Sequence, residues 1–351
     1  MKERILITPL NWGLGHATRC IPIIKALERN NLEPVIASDG VALSLLKKEF
    51  PHLIAIELPS YKIKYSEKGK NFKLKLFSQI PTIINAIKSE RKATKEIIDA
   101  YQIKGLISDN RLGVFSKKIP SVFITHQLNV LTGNTTWFTT QLHQYYIKKY
   151  TECWIPDMEN KPNLSGKLGH LEDAFKTLKY IGPLSRLHKK VVENKYDLLI
   201  VLSGPEPQRT LLENKLIHEL ENYPKNVLFV KGIIDSKQKI TIEKNITYYN
   251  FMKSDELEIA FNESSQILCR SGYTTIMDLA HLGKKAFFIP TPGQYEQIYL
   301  AKKFKKEGIA PYCNQEDFKV EKLEEIPLYS GFVNHSAKIS WKKLLSLFQS
   351  K

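Results

Sequence analysis

Residues 266–299, QILCRSGYTTIMDLAHLGKKAFFIPTPGQYEQIY, constrain the fold more than any other stretch of this chain. A short apolar run, Gln266 to Cys269, meets a turn of Arg270, Ser271 and Gly272. Tyr273, Thr274 and Thr275 open a helix whose Ile276, Leu279, Ala280 and Leu282 face inward and which stops at Gly283. Ala286 to Ile289 form a second apolar strand, broken by Pro290 and Pro292. Strand, helix, strand is half of a parallel α/β sheet, where ligands gather at the carboxyl ends of the strands. A helix that opens Ser-Gly-x-Thr-Thr offers unpaired N–H groups, hydroxyls and a positive dipole end, a site suited to phosphate. Asp278, roughly one turn further on, is placed to take a ribose diol by hydrogen bonds. Gln294, Glu296 and Gln297, on the loop after the next strand, add polar groups at the same edge. Phosphate, ribose and polyol in that order point to a nucleotide sugar. A Ser-Gly-Thr turn that binds nothing is the alternative that spacing alone leaves open.

The N-terminus repeats the logic. Glu3 to Pro9 read as a first strand, and Cys20 to Asn30 as a helix with Ile21, Ile24 and Leu27 on one face. Between them lies NWGLGHATR, in which Gly13 and Gly15 let the backbone approach a ligand. His16 and Arg19 fall at a strand's carboxyl end, a poor place for a core histidine and a good one for proton transfer. Strands at 34–38 and 54–58, with a helix at 41–49, complete a βαβαβ beginning. Strands at 105–108 and 121–125 then deliver Asp109-Asn110-Arg111 and His126-Gln127 to the same edge, as a cleft wall would. Residues 128–150 read as a loop and an aromatic helix on the acceptor side, and a short strand follows at 153–156.

Residues 61–95 break this rhythm. Lys62, Lys64, Lys68, Lys70, Lys73 and Lys75 alternate with Phe72, Leu74, Leu76, Phe77 and Ile80. The pattern suits either a loop and amphipathic helix on an anionic lipid surface or a solvated basic insertion. Tyr180 to Pro183 close the first half, and 185–195 is a charged linker. A second domain restarts with a strand at 196–203, a Ser203-Gly204 loop, and a helix from Arg209 to about residue 221. Strands follow at 226–231 and 246–250, with Phe251 and Met252 placed to flank a base. The tail, SAKISWKKLLSLFQS, is an amphipathic terminal helix.

The chain of 351 residues, 42% of them hydrophobic, has material for two domains. No run approaches a membrane span. MKERILITPLNWG enters a strand directly, without a secretory h-region, so a cytosolic location is expected. Four scattered cysteines lack metal-ligand spacing, which argues for reduced thiols and against a structural zinc, and no cofactor is expected. Lys and Arg number 52 against 36 Asp and Glu, a net charge of +16 that asks for an anionic partner. Nucleic acid fits poorly, because no aromatic–basic RNA motif or helix-turn-helix is present.

CRSGYTTIMDLAHLGKKAFFIPTPGQYEQ resembles the donor-binding signature of GT-B glycosyltransferases, nearest to the group containing lipid II synthase. Its acidic helix residue, often Glu there, is Asp278 here, and its loop carries the Glu296-Gln297 pair of the wider nucleotide-sugar transferases. The GxGHxxR stretch at 13–19 is similar to the Gly-rich loop of that group and, more closely, of nucleotide-sugar hydrolases of pseudaminic acid synthesis. The resemblance implies an α/β architecture of two Rossmann-like doubly wound domains facing across a cleft. Residues 1–183 would be the acceptor domain, with helix 337–351 returning onto it, and 184–336 the donor domain. It further implies inverting, metal-independent transfer from a UDP-sugar to an acceptor glycan or lipid. His16 or Asp109 would act as base, with Arg209 or Arg270 and the loops at 203–204 and 271–275 stabilising the departing nucleotide. A peripheral position at the inner membrane face would follow from 61–95. A nucleotide-sugar hydrolase is the second enzymatic expectation.

Overall fold

The computed structural model describes residues 2–61, 80–131, 133, 136–172, 175–333 and 339–349. The chain divides into two compact units, one of residues 1–184 with 337–351, the other of 185–336.

The first unit is built on seven parallel strands: β1 (Arg4–Pro9), β2 (Glu33–Ser38), β3 (Ala55–Glu57), β4 (Ile103–Asp109), β5 (Ser121–Ile124), β6 (Glu152–Ile155) and β7 (Leu178–Tyr180). Their order across the sheet is β3-β2-β1-β4-β5-β6-β7. The central strands are buried along almost their whole length, as parallel strands covered on both faces must be. Helices α1 (Leu14–Arg29), α2 (Gly40–Glu49), α3 (Ile80–Tyr101) and α4 (Thr136–Ile147) belong to this unit. From β1 the chain winds outward through β2 and β3, then returns to β4 on the other side of β1. That reversal opens a crevice at the carboxyl ends of β1 and β4, where Pro9 is in register with Asp109.

Helix α1 begins at Leu14 rather than Cys20, so Gly15, His16 and Arg19 lie on its first turns and not in a preceding loop. Gly13 is its N-cap at φ 79°, a conformation open to glycine at no steric cost. Helix α3 carries the described part of the basic-apolar segment. Its Ala86, Ile87, Glu90 and Ile97 are buried in the unit's core, so this part is anchored to the sheet and does not lie free on a surface. The residues bearing Lys62 to Lys75 lie outside the described residues. The tail forms α9 (Trp341–Leu345), whose numbering follows the second unit's helices, and a 3₁₀ turn at Ser346–Phe348. Leu345 and Phe348 are buried, and the Phe348 ring packs edge-on against Trp154 at 6.4 Å.

The second unit has six strands: β8 (Tyr196–Val201), β9 (Val227–Val230), β10 (Ile240–Glu243), β11 (Ile246–Tyr249), β12 (Ser264–Cys269) and β13 (Lys285–Phe288). Their order is β10-β11-β9-β8-β12-β13, parallel except for β10. The β10–β11 hairpin is an addition to the pattern expected from sequence. All four residues of β10 are exposed, so it offers no continuous apolar run to recognise. Helices are α5 (Gln208–Glu219), α6 (Ser254–Asn262), α7 (Tyr273–Leu282) and α8 (Tyr295–Lys306). Helix α7 ends as its sequence demands: Gly283 is left-handed at φ 67°, and Lys284 N–H bonds back to Leu279 O at 3.1 Å. Here the order of winding reverses between β8 and β12, so the loops after those strands converge.

Candidate active site

In the first unit the crevice holds four polar side chains from three strand ends. His16 comes from the start of α1, after β1, and Asp109 ends β4. His16 Nδ1 lies 2.7 Å from Asp109 Oδ1. Arg19, one helical turn beyond His16, bonds both Asp109 oxygens through Nε and Nη2. Arg19 Nη1 donates to His126 Nδ1 at 3.0 Å, after β5. Burial pushes the Asp109 carboxyl up, but the charges and hydrogen bonds of Arg19 and His16 outweigh it and hold its pKa at about 2. Asp109 is therefore an anion that only accepts, so its 2.7 Å contact is a hydrogen bond when the proton sits on His16 Nδ1, whereas Arg19 Nη2, 2.8 Å from the same nitrogen, donates to the other tautomer. In the first form the Nε2 lone pair is left for a substrate. Burial, the largest cause, lowers the His16 pKa below 6.5; Asp109 raises it and Arg19 lowers it further. At neutral pH His16 is a neutral imidazole, 14% exposed at its side chain. A buried carboxylate that orients an imidazole is the support a general base needs.

Several residues expected to meet the acceptor are instead internal. Arg19, 2% exposed, spends its guanidinium on Asp109, His126 and His16 Nδ1, the last at 2.8 Å. It orders the base and does not face an acceptor. Arg111 is fully buried, bonded to Asp39, Glu90 and the carbonyls of Pro9 and Pro59. It is a lock between β4, α2 and α3, because a buried cation must be paired where it lies. His126 is buried beside Arg19, and Gln127 follows it with its N–H on Thr125 Oγ1. Asn110, left-handed at φ 57°, keeps its Oδ1 shielded from solvent with no protein partner. Such an orphaned acceptor costs about 1–3 kcal/mol until something donates to it.

In the second unit three loops converge after β8, β12 and β13. Gly204 has φ 109°, and a Cβ there would stand 3.5 Å from Thr291 Oγ1, which places the first loop against the third. Gly272 is the N-cap of α7, and a Cβ there would meet nothing within 4 Å. Gln297 organises the third loop: its Oε1 accepts from Thr291 N–H at 2.8 Å and its Nε2 donates to Gln294 Oε1 at 2.6 Å. Ser271 Oγ donates to Gln297 O at 2.8 Å, so this hydroxyl joins two loops and is not free for phosphate. Glu296 stands in the first turn of α8. Thr291 was not legible as a site residue in the sequence, being one hydroxyl between two prolines. Its Oγ1 is buried without a partner, at the junction of the loops.

Arg270 is 1% exposed and clamps these loops from behind. It donates to Ile289 O at 3.1 Å, Pro290 O at 3.2 Å, Gln208 O at 2.9 Å and Gln315 Oε1 at 2.7 Å. Among the described residues no carboxylate pairs with it. Burial lowers its pKa to about 9. Its charge is thus held under the loops without a carboxylate among the described residues, a field that favours an anion. Arg209, by contrast, is neutralised by Glu206 at 2.6 Å and Glu213 at 2.5 Å. Phe251 and Met252 are 4% and 8% exposed, so their side chains belong to the unit's interior. Asp278 is buried on α7 and accepts from Ser185 Oγ at 2.6 Å. Burial raises its pKa to about 6, against the lowering by Arg186 and Ser185.

Comparison with known proteins agrees with this geometry. The glycosyltransferase family 28 C-terminal domain matches residues 203–328, the segment that holds all three loops. The chain is 26% identical over 377 aligned positions to the UDP-N-acetylglucosamine--N-acetylmuramyl-(pentapeptide) pyrophosphoryl-undecaprenol N-acetylglucosamine transferase of Wigglesworthia glossinidia brevipalpis, covering 100% of this chain and 92% of that one. It is 23% identical to the enzyme of the same name from Glaesserella parasuis, over 92% and 88% of the two chains. Among solved structures, MurG of Acinetobacter baumannii superposes with a TM-score of 0.58 at 12% identity, over 99% of each chain. The glycosyltransferase SnogD of Streptomyces nogalater gives 0.64 at 12%, over 99% and 100%. Two doubly wound units, the family 28 segment and full-length likeness to these enzymes make this chain a glycosyltransferase of the GT-B fold, similar over its whole length to the lipid II synthase group.

Proposed function

We propose that the protein transfers a sugar from a UDP-sugar to a hydroxyl of a lipid-linked acceptor, with inversion. The observation that carries this reading is the His16–Asp109 pair: a neutral imidazole held against a buried carboxylate at a strand end is built to take a proton. His16 Nε2 removes the proton of the acceptor hydroxyl as its oxygen attacks the donor's anomeric carbon. The bond from that carbon to the UDP oxygen breaks, and negative charge collects on the diphosphate. The N-terminus of α7, the Thr291 hydroxyl and the Arg270 charge support that charge from the second unit. Asp278 takes the ribose, exchanging Ser185 for a ribose hydroxyl, while Gln294 and Glu296 address the sugar.

The names of the sequence relatives specify UDP-N-acetylglucosamine and an undecaprenyl-pyrophosphoryl acceptor. The donor class and the lipid-linked acceptor class are carried over on that ground. Helix α4 supports an amphiphilic acceptor at the inner membrane face. Trp137, Phe138, Leu142 and Tyr145 are exposed on it at 73%, 49%, 41% and 59%, and Lys149 lies over the Tyr145 ring. Aromatic side chains beside lysines suit the headgroup level of a bilayer. Among the described residues no helix is long and apolar enough to cross a membrane.

The test is incubation of the protein with radiolabelled nucleotide sugars, with and without a membrane lipid extract. Label entering the lipid phase is expected. Release of free sugar at the same rate without lipid would show a hydrolase, with water at His16 in place of the acceptor.

A further inference from the structure

A carboxylate against Nδ1 stabilises the imidazolium, so Asp109 by itself would leave His16 holding its proton. Arg19 changes that balance. Its Nε and Nη2 donate to both oxygens of Asp109, and the same Nη2 stands 2.8 Å from His16 Nδ1. The guanidinium is fixed on its other arm, where Nη1 donates to His126 Nδ1 at 3.0 Å. An arginine only donates, so that bond occupies a lone pair of His126 and His126 adds no charge. Cys20 Sγ lies 3.8 Å from Asp109 Oδ2, and burial keeps its thiol protonated and neutral. The charged and titratable groups that act on His16 are therefore Asp109 from β4, Arg19 from α1 and His126 after β5. With His16 neutral, one carboxylate and one guanidinium cancel. A proton on His16 leaves a net positive charge beside an Arg19 that is 2% exposed and an Asp109 that is fully buried. A buried charge without a partner is unfavourable.

We propose that Arg19 is a positioning residue for the transfer step: it occupies Asp109 so that His16 stays a free base, and it expels the proton that His16 acquires. The acceptor's O–H bond breaks and its proton bonds to Nε2. The imidazolium so formed lies against the guanidinium. Repulsion between the two cations returns the proton from Nε2 to water as product leaves, and the neutral imidazole is restored. The inference rests on the transferase reading and adds how its base is regenerated.

The experiment compares wild type, Arg19→Gln and Arg19→Lys. The His16 titration is followed by NMR on protein labelled with carbon-13 at histidine Cε1, with His16→Gln assigning the signal. In parallel, kcat is measured against pH with radiolabelled UDP-N-acetylglucosamine and membrane lipid extract. Wild-type His16 is expected to titrate below 6.5. Arg19→Gln should move that titration and the acid limb of kcat up together by about one pH unit or more, so that turnover lost at neutral pH returns in alkali. Arg19→Lys keeps the charge and should keep the wild-type limb even where turnover falls. A folded Arg19→Gln whose kcat drops equally at every pH, with the His16 titration unmoved, overturns the proposal. So does a wild-type His16 that titrates at or above 6.5, a result that stands even where Arg19→Gln fails to fold. Wild-type protein that shows the expected titration but transfers no sugar would instead bring down the transferase reading itself.

Discussion

His16 Nδ1 and Asp109 Oδ1 are 2.7 Å apart although 93 residues separate them in the chain. The bond orients the imidazole and favours the tautomer whose Nε2 is bare, so its loss acts on chemistry more than on nucleotide binding. His16→Ala should lower turnover about 10²–10⁴-fold with UDP affinity nearly intact. Asp109→Asn should cost a similar factor by allowing the wrong tautomer. Because burial lowers the His16 pKa, the acid limb of kcat against pH should fall below 6.5. Steady-state kinetics across pH decide this; near-normal turnover in His16→Ala and His16→Gln would make His16 structural.

Asp278 carries opposite consequences for binding and stability. Its folded pKa, about 6, lies above its ordinary 3.8, so the fold favours the protonated form. That contribution is fully present below pH 3.8 and is lost as pH rises through about 6. Asp278→Asn should therefore stabilise the protein at neutral pH, by on the order of 1–3 kcal/mol. Asp278→Ala should weaken UDP binding by about 1–3 kcal/mol. Wild-type UDP affinity should fall as the carboxylate titrates near pH 6. Calorimetric UDP titrations and thermal melts at matched pH measure both, and unchanged UDP affinity in folded Asp278→Ala refutes the ribose role.

Thr291→Val removes a buried hydroxyl that no protein group pairs with. The free protein should be unaffected or stabilised by about 1 kcal/mol, while UDP affinity falls by about 0.5–1.5 kcal/mol. A melt that drops by several degrees with unchanged UDP affinity would show that the hydroxyl serves the fold alone.

A Cβ added at Gly105 would run into the Phe348 ring. Gly105→Ala should destabilise by about 1–3 kcal/mol through overpacking. Combination with Phe348→Leu should recover part of the loss, read by urea denaturation.

Replacing Lys68, Lys70, Lys73 and Lys75 with Gln should reduce sedimentation with anionic vesicles, by up to about 1 kcal/mol per charge close to the surface. Trp137→Ser with Tyr145→Ser should reduce it again. Wild-type protein that does not sediment with such vesicles at low salt would refute membrane attachment.

Local sequence determined the units that local forces govern. Apolar runs became β1, β4, β8 and β12, because strands buried on both faces leave no room for polar residues. Gly283 ended α7, and Gly13 and Gly204 took the positive φ that glycine adopts freely. His16 and Asp109 were visible as reactive types at strand ends, but their bond depends on β4 lying in register beside β1. The arginines show the limit most clearly. Arg19, Arg111, Arg209 and Arg270 look alike as cations near strand ends. Tertiary structure gave Arg19 to Asp109, Arg111 to Asp39 and Glu90, and Arg209 to Glu206 and Glu213, leaving Arg270 on carbonyls with its charge uncompensated. A charge's role is set by which partner the fold buries beside it, and three of those partners, Asp39, Glu90 and Asp109, lie 21 to 90 residues from their arginine.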